Sequence, residues 1–104
     1  MAKNMNALMK QAQQMQQKMA TLQKELEARE LETSSGGGMI KVKVNGKQEV
    51  LAISINPECV DPSDVETLEE LVLTGVNQAI KESQDMVSNA MSKVTGGLSI
   101  PGLF

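Results

Sequence analysis

Seven apolar residues near the amino terminus, Met5, Leu8, Ala12, Met15, Met19, Leu22 and Leu26, are separated by alternating steps of three and four. A stripe of that spacing is the seam of a helix that packs against one other helix. Met5, Ala12, Met19 and Leu26 take one core position and Leu8, Met15 and Leu22 the other. The next slot falls on Arg29, so the pattern predicts a helix over about residues 2–28. Between the seam residues lie mostly Gln and Lys, which favour helix but offer no second apolar face. At ~1.5 Å per residue such a helix is a rod of roughly 40 Å, longer than the radius of a small domain. Part of it must stand clear of whatever body the rest of the chain builds.

That body begins with alternation of period two, the mark of half-buried strands. Leu31 and Thr33 alternate with Glu30, Glu32 and Ser34; after Gly36-Gly37-Gly38, Ile40, Val42 and Val44 alternate with Lys41 and Lys43. Asn45-Gly46 signals a tight hairpin, and Leu51, Ile53 and Ile55 continue the pattern on the return strand. The expected strands cover about 30–35, 39–45 and 48–56, an antiparallel meander with one aliphatic and one partly cationic face. Asp61-Pro62-Ser63-Asp64 then opens a second helix, about 62–94, with Asp61 as its cap and Pro62 in its first turn. Val65, Leu68, Val72, Val76, Ala79, Ile80, Val87, Ala90, Met91 and Val94 form its apolar stripe, Gly96-Gly97 ends it, and Gly75 inside it marks close packing. The apolar tail 97–104 either docks on a helix or is a free end. The fold class is α+β, a single domain over 1–104: long helix, three-stranded antiparallel sheet, long helix.

Chemistry is narrowed by what the chain lacks. It has no His, one Cys (Cys59) and one aromatic residue (Phe104), so it cannot by itself build a His-based triad, a zinc finger, a haem site or a disulfide framework. An aliphatic, Met-rich interior in so short a chain buries little surface, a shortage that pairing of two copies relieves. Cys59 reads as a reduced, partly buried small residue. Gly36-Gly37-Gly38 precedes a strand, not a helix, and so is a turn and no phosphate loop. Met1, Met5, Met9, Met15 and Met19 read as packing, not as a Cu(I) site, and Glu66, Glu69 and Glu70 have no base, nucleophile or ligand beside them. No catalytic residue, metal, cofactor or small-molecule substrate is expected, and the polar amino terminus leads us to expect neither a secretory signal nor a membrane span. The expected location is the cytoplasm.

The net charge of -3 conceals a segregation: residues 1–24 sum to +4, 25–32 to -3, 33–48 to +3 and the remainder to -7. Lys3, Lys10 and Lys24 share the heptad position opposite the seam, with Lys18 beside that line. Lys3 near the positive end of the first helix, and Glu25 and Glu27 near its negative end, oppose the helix dipole, whereas the second helix obeys it. A local rule broken in one element points to function there. A cationic stripe on a projecting rod suits a polyanion, a solvated coiled-coil face being the alternative. Gln14 and Gln17, with Gln11, Gln13 and Gln16, add amide donors suited to phosphates or base edges, or are neutral helix surface. Aromatic platforms for stacked bases are missing.

The order of segments is specific. Leu8-Met9-Lys10-Gln11-Ala12-Gln13-Gln14-Met15-Gln16-Gln17-Lys18-Met19, then Gly36-Gly37-Gly38-Met39-Ile40-Lys41-Val42-Lys43-Val44-Asn45-Gly46-Lys47, Ile53-Ser54-Ile55-Asn56-Pro57-Glu58, and Leu68-Glu69-Glu70-Leu71-Val72 with Val76-Asn77-Gln78-Ala79 resemble the YbaB/EbfC family of bacterial nucleoid-associated proteins. The resemblance covers nearly the whole chain. It implies an intertwined, tweezer-like homodimer that binds duplex DNA with limited sequence preference through protruding helices. The corresponding residues here are Lys3, Lys10, Lys18 and Lys24, with Lys81 and Lys93 as secondary candidates. Cys59-Val60, Gly75 and the overall acidity depart from the family pattern. The competing reading is a coiled-coil adaptor or chaperone-like clamp that grips a protein through the Met-rich seam.

Overall fold

The structure, a computed structural model, describes residues 2–95, with side chains from Asn4 to Val94. The expected tail, the Gly96-Gly97 stop and the Lys3 side chain lie outside the described residues. The elements run α1 (Ala2–Ala28), β1 (Glu30–Ser35), β2 (Ile40–Asn45), β3 (Val50–Ile55), a 3-10 turn (Pro57–Cys59) and α2 (Val65–Thr95). The strands form one antiparallel sheet in the order β1-β2-β3. The molecule measures 76 × 22 × 16 Å with a radius of gyration of 20.4 Å, against ~13 Å for a compact chain of this length. The projecting rod required by the seam is the cause.

The alternation in β2 is resolved as expected. Ile40, Val42 and Val44 are buried while Lys41 and Lys43 face water. Onto the aliphatic face α2 brings Leu68, Leu71, Val72, Val76 and Ala79. Gly75 lets the helix backbone come close: a Cβ there would lie 3.1 Å from Ser35 Oγ and 3.3 and 3.4 Å from methyls of Val42 and Ile40. Buried hydroxyls tie the layers at both ends, Ser35 Oγ donating to the Leu71 carbonyl (3.0 Å) and Ser83 Oγ to the Asn45 carbonyl (2.6 Å). Between Leu71 and Ser83 α2 therefore runs along β2 toward the Asn45 end, and the twelve further residues to Thr95 carry it ~18 Å past the sheet. α1 meets the body at that same end. Its seam is graded, with Leu26 fully buried, Met15, Met19 and Leu22 half-buried, and Ala12, Leu8 and Met5 exposed.

Four local expectations are corrected. Asp61 does not cap α2: its carboxylate accepts from the Ser63 amide and hydroxyl in a preceding turn (2.9 and 2.7 Å), and helix begins after Asp64, which accepts from the Thr67 amide and hydroxyl (3.4 and 2.7 Å). Both acids have the capping chemistry, and Pro62, expected in the first helical turn, lies in the Asp61 turn. The β2–β3 connection is four residues long, Gly46 to Glu49, and is closed by the Asn45 amide donating to the Glu49 carbonyl (3.1 Å). The residue with positive φ is Gln48, at 65°, and not Gly46, the geometry of a turn followed by a left-handed residue. Strand β3 accordingly starts at Val50, two residues later than expected. Finally, β3 does not share the core: a bulge opposite Lys43/Val44 sets Val50 against Val44 and leaves Leu51 as the extra residue, and α2 lies over β1 and β2. Ile53 and Ile55, paired with Val42 and Ile40, remain 44% and 39% exposed.

Candidate nucleic-acid interface

The exposed face of α1 presents Lys10, Lys18, Lys24, Gln14 and Gln17. Lys10, Gln17 and Lys24 fall at one heptad position, so they recur every ~10.5 Å along the rod, about three times the ~3.4 Å axial rise per nucleotide of a DNA strand. Gln14 lies four residues from both Lys10 and Lys18 and joins them into one surface. Among the described residues the ion pairs are Lys43 Nζ to Glu30 Oε1 (3.8 Å) and Lys47 Nζ to Glu27 Oε2 (4.0 Å). Both sit at the body, so the charge of Lys10, Lys18 and Lys24 is left for solvent or a ligand. No acid occurs before Glu25. The backbone dipole agrees with the sequence reading: α1 has no acid in its first turn and no base in its last, whereas α2 has Glu66 and Lys93 there.

The two α2 lysines are separated by the fold. Lys81 is exposed beside the sheet, two residues before Ser83, which touches the β2–β3 turn. Lys93 is exposed ~18 Å farther along the helix, beyond the sheet at the end where α1 departs. The arm and Lys93 thus share one end of the molecule, and Lys81 is apart. The opposite sign collects on the body: from Gln48 to Ile80 the sequence holds seven carboxylates and no base. With screening over ~10 Å at 0.1 M salt, most of the arm is electrically independent of that acidic surface.

Among the described residues no cluster of His, Cys, Asp or Glu could hold a metal ion, and no helix is long and apolar enough to cross a membrane. Cys59 is half-buried, and its thiol donates to the Asn56 carbonyl at 3.1 Å. Hydrogen bonds from Ser63 hold the Asp61 carboxyl below the ordinary carboxylate range. A feature the alternation pattern missed is the apolar edge: Val50, Leu51, Ile53 and Ile55 are 37–48% exposed on a strand with no neighbour on its outer side among the described residues. The signal was present in Val50, Leu51, Ile53 and Ile55, four large aliphatic residues among the six of this strand, more apolar surface than a solvated edge strand carries.

Comparison with known proteins places this geometry. The model of the YbaB/EbfC DNA-binding family matches residues 1–98. The chain belongs to this family. It is 57% identical over 104 residues to a nucleoid-associated protein of Desulforamulus reducens, covering 100% of this chain and 99% of the relative. It is 55% identical over 103 residues to one of Alkaliphilus metalliredigens, covering 99% of this chain and 90% of the relative. Among solved structures, an uncharacterized protein of Helicobacter pylori, HP0035, has the same fold, with a TM-score of 0.62, 21% identity and coverage of 77% of this chain and 93% of that one. YbaB/EbfC membership accounts for the order of helix, meander and helix in one stroke, and it is a family of DNA-binding proteins.

Proposed function

We propose that this YbaB/EbfC protein is a nucleoid-associated homodimer that binds duplex DNA with limited sequence preference, in the cytoplasm, and contributes to nucleoid organisation or gene expression. The observation that carries the reading is the unpaired cationic face of α1, held clear of an acidic body. Contacts to phosphates by flexible lysines give affinity without reading bases, and Gln14 and Gln17 supply hydrogen bonds between them. Pairing is supported by the bare β3 edge with its exposed aliphatic residues, a surface that folded chains normally cover. Two copies double the arms, and four lysines on each, Lys3, Lys10, Lys18 and Lys24, permit up to eight phosphate contacts.

At about -0.9 per contact the logarithmic salt slope would then approach ~-7. Titration of a duplex at two salt concentrations measures it. Lys10→Glu with Lys18→Glu is expected to flatten the slope and abolish a gel shift while the dimer mass persists. Undiminished binding by the double variant would remove the arm mechanism.

A clamp for a protein partner is favoured by a separate observation, the 60–67% exposure of Met5, Leu8 and Met9 near the free end of α1. That reading predicts nuclease-insensitive capture of a protein that is lost on Met15→Lys and indifferent to the outer lysines.

A further inference from the structure

Gly46 is buried in a turn whose other members, Lys47, Gln48 and Glu49, are exposed. Its φ lies outside the left-handed region, so the chain has no need of glycine there for the turn itself. What requires it is α1. A Cβ on Gly46 would overlap the Leu26 carbonyl oxygen and lie 2.6 Å from the Leu26 carbonyl carbon and 3.1 Å from Glu27 Cα. These are backbone atoms of the last turns of α1, and no rotamer change moves them. The same turn is gripped from the other side by α2, through the fully buried Ser83 hydroxyl on the Asn45 carbonyl and Gln84 Nε2 on Gln48 Oε1 (3.3 Å). It is also stiffened from within, because Asn45 Oδ1 accepts from the amides of Lys47 (2.9 Å) and Glu49 (3.0 Å). The bulge at Lys43/Val44 lies immediately before it, where extra twist re-aims the hairpin end.

We propose that the β2–β3 turn is a socket that sets the direction in which the α1 arm leaves the body, with Gly46 and Ser83 as its positioning residues. The proposal rests on the DNA-binding reading for its consequence and on the turn geometry alone for its mechanism. Leverage makes the socket matter. Turning a ~40 Å arm by ~10° about its base carries the free end ~7 Å, about two nucleotide rises of a DNA strand. Lysines so displaced no longer meet the phosphates that the opposing arm's spacing selects. Gly46 is buried and has no side chain to offer a ligand, so its effect passes through the angle of α1.

The test has two readouts in the full-length protein. Residual dipolar couplings report the orientation of α1 relative to the sheet without any DNA, and duplex titration at several salt concentrations reports affinity and salt slope. Gly46→Ala is expected to reorient α1 while the couplings within β1, β2 and β3 keep their wild-type pattern. Its DNA affinity is expected to fall about tenfold or more with a shallower salt slope, as lost phosphate contacts require. A merely destabilising change would lower the active fraction and leave the slope untouched, and that result counts against the socket, as does an unmoved arm. Should Gly46→Ala fail to fold, Ser83→Ala, which removes one hydroxyl and adds nothing, is read in the same two assays, and wild-type orientation and affinity there overturn the proposal. Absence of DNA binding by the wild-type protein overturns the functional reading instead, and the couplings still decide whether the turn sets the arm.

Discussion

Replacing Gly75 by Ala sets two effects of known size against each other. In an open helix interior the change stabilises by ~1 kcal/mol, since Gly is the poorer helix former by about that amount. Here the new methyl would sit 3.1 Å from Ser35 Oγ and 3.3 and 3.4 Å from the Val42 and Ile40 methyls, all in a buried layer. Overpacking of this kind costs ~1–3 kcal/mol. The tightest neighbour also donates to the Leu71 carbonyl at 3.0 Å, a bond worth ~1 kcal/mol net that a displaced hydroxyl weakens. The balance predicts that Gly75→Ala destabilises by about 1–2 kcal/mol. In a Ser35→Ala background, with the hydroxyl gone, the same change is expected to be near neutral, a coupling of about 1 kcal/mol or more between two residues in contact. Urea unfolding at one fixed protein concentration measures all four corners of the cycle, with unchanged m-values as the check on comparability. Stabilisation by the full helix-propensity amount in the wild-type background, or strict additivity with Ser35→Ala, refutes the claim that Gly75 is there for close approach.

The remaining predictions address the edge and the helix start. Ile53→Lys, on the exposed β3 edge, is expected to halve the sedimentation mass by placing a charge in the proposed contact between copies; an unchanged mass rules β3 out of that contact. Asp64→Ala should lower stability by ~1 kcal/mol in a urea melt as the loss of a helix cap; no change would return the cap to Asp61. Carboxyl-detected NMR should find Asp61 titrating below the ordinary carboxylate range, with Ser63→Ala moving it upward. Because the folded-state value is the depressed one, any stability from this group is present above its unfolded pKa and is lost as pH falls through the folded pKa.

Much of the architecture was legible in short-range pattern. The three-four spacing from Met5 to Leu26 marks α1, and its break at Arg29 marks its end, one residue past Ala28. Alternation from Ile40 to Val44 assigned a buried and an exposed face to β2 correctly. The lysine stripe was visible as well, because residues seven apart on a helix share a face whatever surrounds it. Where pattern misled, two answers were locally equivalent. Asp61 and Asp64 have the same capping chemistry, and Asn45-Gly46 has the composition of a two-residue hairpin turn although the loop is longer.

What the sequence by itself determined is the set of elements, their amphipathic faces and the separation of charge along the chain, since each follows from the helix and strand repeats acting over a few residues. The tertiary structure alone decided which strand α2 leaves uncovered, why Gly46 must lack a side chain, and that α1 meets the β2–β3 turn at the end of the body past which α2 carries Lys93. Those facts depend on atoms distant in sequence, Leu26 with Gly46 and Asn45 with Ser83, and no local periodicity encodes a contact whose partner lies tens of residues away.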